Sequence, residues 1–391
     1  MRPTGFSLVE VMVAMVIGML GIVVMLQTFG AFEGQKRTTT SGDDAISSGT
    51  VTLYGLQRDM QQSGWGFSAA QLIGCKVSGL SVAGGADLPL VPVSINPEVT
   101  PGNPLITGQD ANTDTLLVIS GNGNGTVEGD NIDSVPGANS YAVHTALSYT
   151  ARQVGPPAVP GDQVVAVPQA RPSPCSLALT PVTAVVAPNV TVGAGFAGIA
   201  VGDKLFNMGV RPTVRAYAVR SQNLTLCDYV TNDCGAAANN GDPTVWVPIA
   251  NNVVSLRAQY GRDTAAGNMD GIADVWDQAM PVPVVPAGNL ANGCAVLRVS
   301  AVRVVLVARS SQPERTADWP ALTRNVTPAA PLWSGSDAAA QGIDPVAAAA
   351  VAIVLPNPNP NWPTWKDFRY KVFQTVVPLR NITTLGAVPE C

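Results

Sequence analysis

Residues 1–32 read MRPTGFSLVEVMVAMVIGMLGIVVMLQTFGAF. After a polar head that carries Arg2 and ends at Gly5, the 27 residues from Phe6 to Phe32 hold a single charged side chain, Glu10. As an α-helix at about 1.5 Å per residue this run is roughly 40 Å long, against a hydrocarbon core of roughly 30 Å, so it can span a bilayer. Arg2 marks the short side as cytoplasmic and predicts export of everything after Phe32. A lone carboxylate near the end of such a helix costs on the order of a few kcal/mol in lipid, so Glu10 needs a positive partner.

The order Gly5-Phe6-Ser7-Leu8-Val9-Glu10 ahead of an unbroken apolar run resembles the class III signal of type IV pilins and type II secretion pseudopilins. The resemblance implies that a prepilin peptidase cuts after Gly5 and methylates Phe6, and that Glu10 neutralises the amino terminus of a neighbouring subunit. An ordinary secretory signal has a shorter apolar run and a small-x-small cleavage site after it. A lipoprotein carries a cysteine just behind its leader, whereas the first cysteine here is Cys75.

The chain of 391 residues has ample length for a core. Only 13% of it is charged, while 38 glycines and 32 prolines predict many turns and no second long helix. Loss of residues 1–5 leaves 21 basic and 27 acidic side chains, and no basic patch points to nucleic acid. Six cysteines, an even number in an exported chain, read as disulfides. Their spacing fixes no full pairing; Cys227 and Cys234 are the pair expected, across a short loop between strands. Zinc is the weaker reading, because the chain has no CxxC and its one histidine, His144, is distant.

Beyond Phe32 the sequence turns polar without losing helical character as far as Ser63. Ile46, Leu53, Leu56 and Met60 form an apolar stripe that predicts packing on a neighbouring surface, with bending or fraying near Thr38–Gly42. Arg58 and Asp59, followed by Gly64-Trp65-Gly66 and then Cys75, resemble the minor pilin PilW family; read locally they are a solvated helix end with Gly64 as its stop. From Ser68 onward the pattern is β. Strands are expected at Thr115–Ser120, Gln163–Val167, Val214–Val219, Thr244–Pro248 and Val253–Tyr260. Ala295–Arg309 changes phase midway, which predicts a bulge or burial on both faces, and with Arg369–Leu379 it reads as a central strand. Both segments also resemble the C-terminal half of PilW-type proteins. Surface loops are expected at Pro168–Pro188, Pro281–Pro286, Trp319–Ser336 and Pro356–Pro363.

Catalytic chemistry finds little footing. His144 lies in an expected strand, and no GxSxG, HExxH or phosphate-binding glycine loop is present. The chain therefore reads as a non-enzyme. Asp263, Asn268, Asp270 and Asp274 surround a glycine turn, and calcium binds such oxygen-rich loops. The first ligand position of an EF-hand-like loop is Ala266 and no glutamate closes it, so a solvated hairpin turn is the better fit and calcium the alternative cofactor.

Together these readings predict an α+β chain: leader 1–5, a long helix 6–63 with its anchor at 6–32 and an amphipathic part at 33–63, and a mainly antiparallel β domain at 64–391. The resemblance implies a minor pilin that works in a tip or priming complex. Its implied partners are other minor pilins and the major pilin through the helix, the prepilin peptidase, and a tip adhesin. It implies residence in the inner membrane before assembly and on the pilus or cell surface afterwards. A type II secretion minor pseudopilin and a membrane-anchored binding module that never polymerises remain the alternatives.

Overall fold

The computed structural model describes residues 7–82, 85–100, 102–123, 125–126, 128–144, 161–172, 174–264, 269–279, 290–314, 326–333, 353–355 and 364–383. A single helix, α1, runs unbroken over Leu8–Gln62, without the expected fraying near Thr38–Gly42. It stops where the sequence said it would. Gly64 takes a left-handed φ of +81°, and its N–H donates to the carbonyl of Ile119 in the domain. The free carbonyl of Gln62 accepts from the Ser120 hydroxyl at 2.8 Å and from the Asn381 amide at 3.1 Å, so the helix end is capped by the domain rather than by water.

Strands are numbered β1 to β20 in chain order, and most pair antiparallel. One sheet has the order β16-β15-β14-β6-β3, built from Val247–Asn251, Asn223–Asp228, Thr213–Arg220, Leu116–Ser120 and Val93–Ile95. A second has the order β18-β17-β19-β20, from Val275–Asp277, Val253–Arg262, Val299–Arg309 and Tyr370–Pro378. Smaller pieces are β4 (Glu98–Thr100) with β5 (Asn103–Pro104), and β1 (Lys76–Ser78) between β2 (Leu88–Pro89) and β10 (Ser176–Ala178), the last pairing parallel.

The main core joins both larger sheets to the outer half of α1. Leu56 and Met60 are buried among Leu116, Tyr217, Leu256, Val304 and Val377, and each such side chain contributes roughly 1.5–3 kcal/mol. The buried stripe differs from the expected one at its start: Ala45 and Gly49 face the domain, whereas Ile46 is 47% exposed. The reason is the close approach of β20. A Cβ on Gly49 would stand 2.2 Å from the Phe373 ring, so the helix meets the strand where side-chain bulk is least.

β19 explains its own irregular pattern by being buried along its whole length. Val302, Val304 and Leu306 face the main core, while Val305 and Val307 face a separate cluster with Val254, Trp333, Ile353 and Leu355. A register shift opposite Gly261 and Arg262 adds a bulge as well. Its N-terminal portion departs from expectation: Ala295–Leu297 belongs to a short helix, Leu290–Leu297, and the strand starts at Val299. β20 is an edge strand rather than a central one, with Lys371 and Gln374 exposed.

Between β6 and β14 the chain builds a closed barrel in the order β11-β12-β8-β7-β13-β9. Its strands are Thr180–Val186, Asn189–Val192, Ser140–Val143, Asp130–Gly137, Lys204–Gly209 and Gln163–Val167. The barrel is an insertion into a hairpin, because Ser120 and Thr213, where the chain leaves and returns, are paired neighbours in the host sheet. Val164, Ala166 and Leu205 point into its interior, while Val165, Val167, Phe206 and Met208 point outward into the core of the body. Thus one wall serves both.

Three further expectations are corrected. Pro168–Pro188 contains β10 and β11 rather than only loop, since its prolines stand between strands or at a strand start, as with Pro181. Thr244–Trp246 is a turn closed onto Asp242, and β16 begins only at Val247. In the Trp319–Ser336 stretch, Trp333 is fully buried. Pro281–Pro286 and Pro356–Pro363 lie outside the described residues.

Cys227 and Cys234 are joined, closing the loop that leaves β15, and Cys75 is joined to Cys175 across the parallel pair β1 and β10. Cys294 is disulfide-bonded as well.

Two glycines in α1 should respond to alanine with opposite signs. Gly49→Ala forces Phe373 aside and is expected to destabilise by about 1–3 kcal/mol. Gly55→Ala enters open space and should stabilise by up to about 1 kcal/mol. Melting of the two variants in detergent checks this, and a stabilised Gly49→Ala would refute the close approach.

Candidate assembly site

The first half of α1 presents apolar surface on every side. Leu8–Gly30, 23 residues with a mean hydropathy of 2.6, is not buried anywhere by its own domain. Leu8, Met12, Leu20 and Phe29 are each at least 60% exposed. Surface of this extent has to be covered by lipid or by other apolar helices. Polar groups within it are few and locally satisfied: the Thr28 hydroxyl donates back to the carbonyls of Val24 and Met25.

Ser7 caps the helix in an extended conformation, and Glu10 stands at the third helical position. One carboxylate oxygen of Glu10 accepts the Ser7 N–H at 3.3 Å, the return half of a capping box. This contact holds the exposed carboxylate at the helix start. Gly5 and Phe6, the residues on either side of the expected cleavage, lie outside the described residues.

The junction between helix and domain is polar and specific. Asp59 projects from α1 between the buried Leu56 and Met60, accepting from Arg215 Nη1 at 2.5 Å and from the Tyr217 hydroxyl, both on β14. Burial alone works against the Arg215 charge, yet the hydrogen bond and charge of Asp59 outweigh it and raise the guanidinium pKa. Burial, reinforced by the Asp59 charge, pushes the Tyr217 hydroxyl well above its ordinary value. Arg58 points the other way and is exposed. The Arg-Asp pair thus divides its tasks, one residue to the domain and one to the outside. The sequence carried a faint signal of this, an acid set between two stripe positions, but its partners lie more than 150 residues away.

The acidic loop is the hairpin turn between β17 and β18, with Asp270 and Asp274 exposed and Asp263 buried. Asp263 is 2% exposed; one of its oxygens accepts the N–H groups of Asp270 and Gly271, and the other lies 3.6 Å from Arg298. Asp274 accepts from the Thr264 N–H and Asp270 from the Ile272 N–H, so all three carboxylates serve the backbone. Asn268 lies outside the described residues, and among those described no three acid, histidine or cysteine side chains converge. His144 follows the end of β8, exposed and 3.0 Å from Asp133.

Two family models match this chain. Residues 217–381, from β14 through β20, match the model described as Type IV Pilus-assembly protein W, and residues 1–26 match the Prokaryotic N-terminal methylation motif. No curated protein and no solved structure gives a significant match.

Removing the Asp59 carboxylate should cost about 1–3 kcal/mol, because Tyr217 loses a buried partner. Asp59→Ala is expected to melt several degrees lower, and an unchanged midpoint would show that the junction does not hold the helix. A second expectation concerns pH. Tyr217, Tyr229, Tyr260 and Tyr370 are all pushed up by burial, so the folded chain keeps protons that the unfolded chain releases near pH 10. The stability they contribute is complete below that pH and lost above it. Melting temperatures taken from pH 8 to 11 should fall over the upper part of that range.

Proposed function

We propose that this chain, a type IV pilus-related minor pilin by the two family regions it carries, acts in a tip or priming complex with other minor pilins. The observation that carries the reading is the bare apolar half of α1, continuous with a half that is locked onto a large β domain. In lipid the bare half anchors the precursor, amino terminus inward. Transfer from lipid to a bundle of similar helices changes its apolar surroundings little, since lipid tails and leucine side chains are equally apolar. What changes is Glu10.

A prepilin peptidase cuts after Gly5 and methylates Phe6, and the carboxylate of Glu10 then meets the amino terminus of a neighbouring subunit. An unpaired charge that costs on the order of a few kcal/mol in lipid becomes a paired one in the filament. The same contact selects where each helix stops along its neighbour. The work is assembly, with no catalytic step and no cofactor. Other minor pilins and the major pilin are met through the helix, and a tip adhesin through the domain. The size of that domain favours few copies per filament. The finished subunit sits on the pilus or cell surface.

Replacing Gly5 with a bulky residue should leave the chain unprocessed and absent from pilus preparations. Glu10→Ala should be processed normally but incorporated poorly. Mass spectrometry of the mature chain, together with blotting of sheared pili, reads both. Full incorporation of Glu10→Ala would remove the charge pairing, and a native chain that keeps its first five residues would remove the whole reading. Deletion should abolish twitching; loss of protein secretion with motility intact would indicate the type II secretion alternative.

A further inference from the structure

Where the barrel meets the body, β7, the end of β9 and the turn before β13 stand beside the turn that follows α1 and frame a cavity of about 420 Å³. That volume suits a small ligand. Three side-chain amides line it: Gln71 on the body, Asn131 on β7, and Gln169 just past β9. None of the three makes a hydrogen bond to another described residue.

The walls are held in place without a ligand. Asp203, 6% exposed, accepts the Gln169 N–H at 2.8 Å and the Ala200 N–H at 2.7 Å, which ties two sides of the cavity together. Arg171 donates to the carbonyls of Ala70 and Ile73, and Cys75 is bonded to Cys175, so the turn carrying Gln71 is tied to the segment carrying Gln169. Walls fixed in advance lower the ordering cost of binding.

Charge gives the cavity no preferred sign. Asp133 is paired with His144 at 3.0 Å, and the Lys204 ammonium donates to the carbonyl of Glu128, so its one acid and one base are each engaged. An amide both donates and accepts, as a hydroxyl does. Val167, Pro168 and Val201 add apolar lining that suits the C–H face of a sugar ring. An extended peptide would look for a free strand edge, but β7, β9 and β13 are each paired on both sides.

We propose that this cavity binds a short uncharged saccharide, whose hydroxyls are held by Gln71, Asn131 and Gln169. The site needs no neighbouring subunit, and its ligand is bound whether or not the chain polymerises.

The test uses the full chain in a detergent without a sugar headgroup. The probes are uncharged hexoses, N-acetylhexosamines and their short oligomers, with sialyllactose and a short polar peptide for comparison. Saturation-transfer NMR should show contact with uncharged saccharides. Asn131→Ala combined with Gln169→Ala, both at exposed positions, should melt as the unsubstituted chain does yet bind about tenfold more weakly. Absence of transfer to every uncharged saccharide would overturn the proposal, and so would undiminished binding by the double variant. Stronger binding of sialyllactose or of the peptide would overturn the assignment of ligand class.

Discussion

One helix has to satisfy two solvents. Over Leu8–Gly30 it is apolar on every side, which suits lipid or a bundle of like helices. From Ala45 onward it is buried on one side only, which suits the surface of a β domain. The two stretches belong to one unbroken helix, so whatever fixes the second half also orients the first. Asp59 on β14, Gly49 under Phe373, and Asn381 on the last carbonyls supply that fixing. The domain therefore grips α1 along one side and at its end.

Much of this was legible in the sequence because it is local. An uninterrupted apolar run, a glycine stop at Gly64 and a strand such as Gln163–Val167 are each decided by residues close together in the chain. What was not legible depends on partners far away. Ile46 and Ala45 are adjacent, and only the approach of Phe373 decides which one turns inward. Asp59 gave no hint that Arg215 and Tyr217 would meet it. The phase change in β19 was seen, but both of its proposed causes operate, since the strand is sandwiched between two clusters and bulged near its start.

The barrel was the largest omission, for a physical reason. Closure requires β7 to pair with β13 and β9 with β11, and no short-range pattern announces that a row of strands returns to its beginning. Once formed, it is no loose appendage. Its β9 and β13 share side chains with the body, Arg171 donates to the carbonyls of Ala70 and Ile73, and Cys75 is bonded to Cys175. The acids of the 263–274 loop tell a related story. Residue types that suit a cation are equally suited to holding a tight turn, and the buried Asp263 with its two amide donors does the latter.

The pairing of Ser120 with Thr213 has a consequence for how such a subunit can vary. Exit and re-entry of the chain at adjacent rungs mean that the host sheet has the same register whether a short turn or an entire barrel bridges them. Bulk can be added or removed at the barrel's far strands, β8 and β12, without touching the pairing at this doorway, whereas β9 and β13 are held by the core they share with the body.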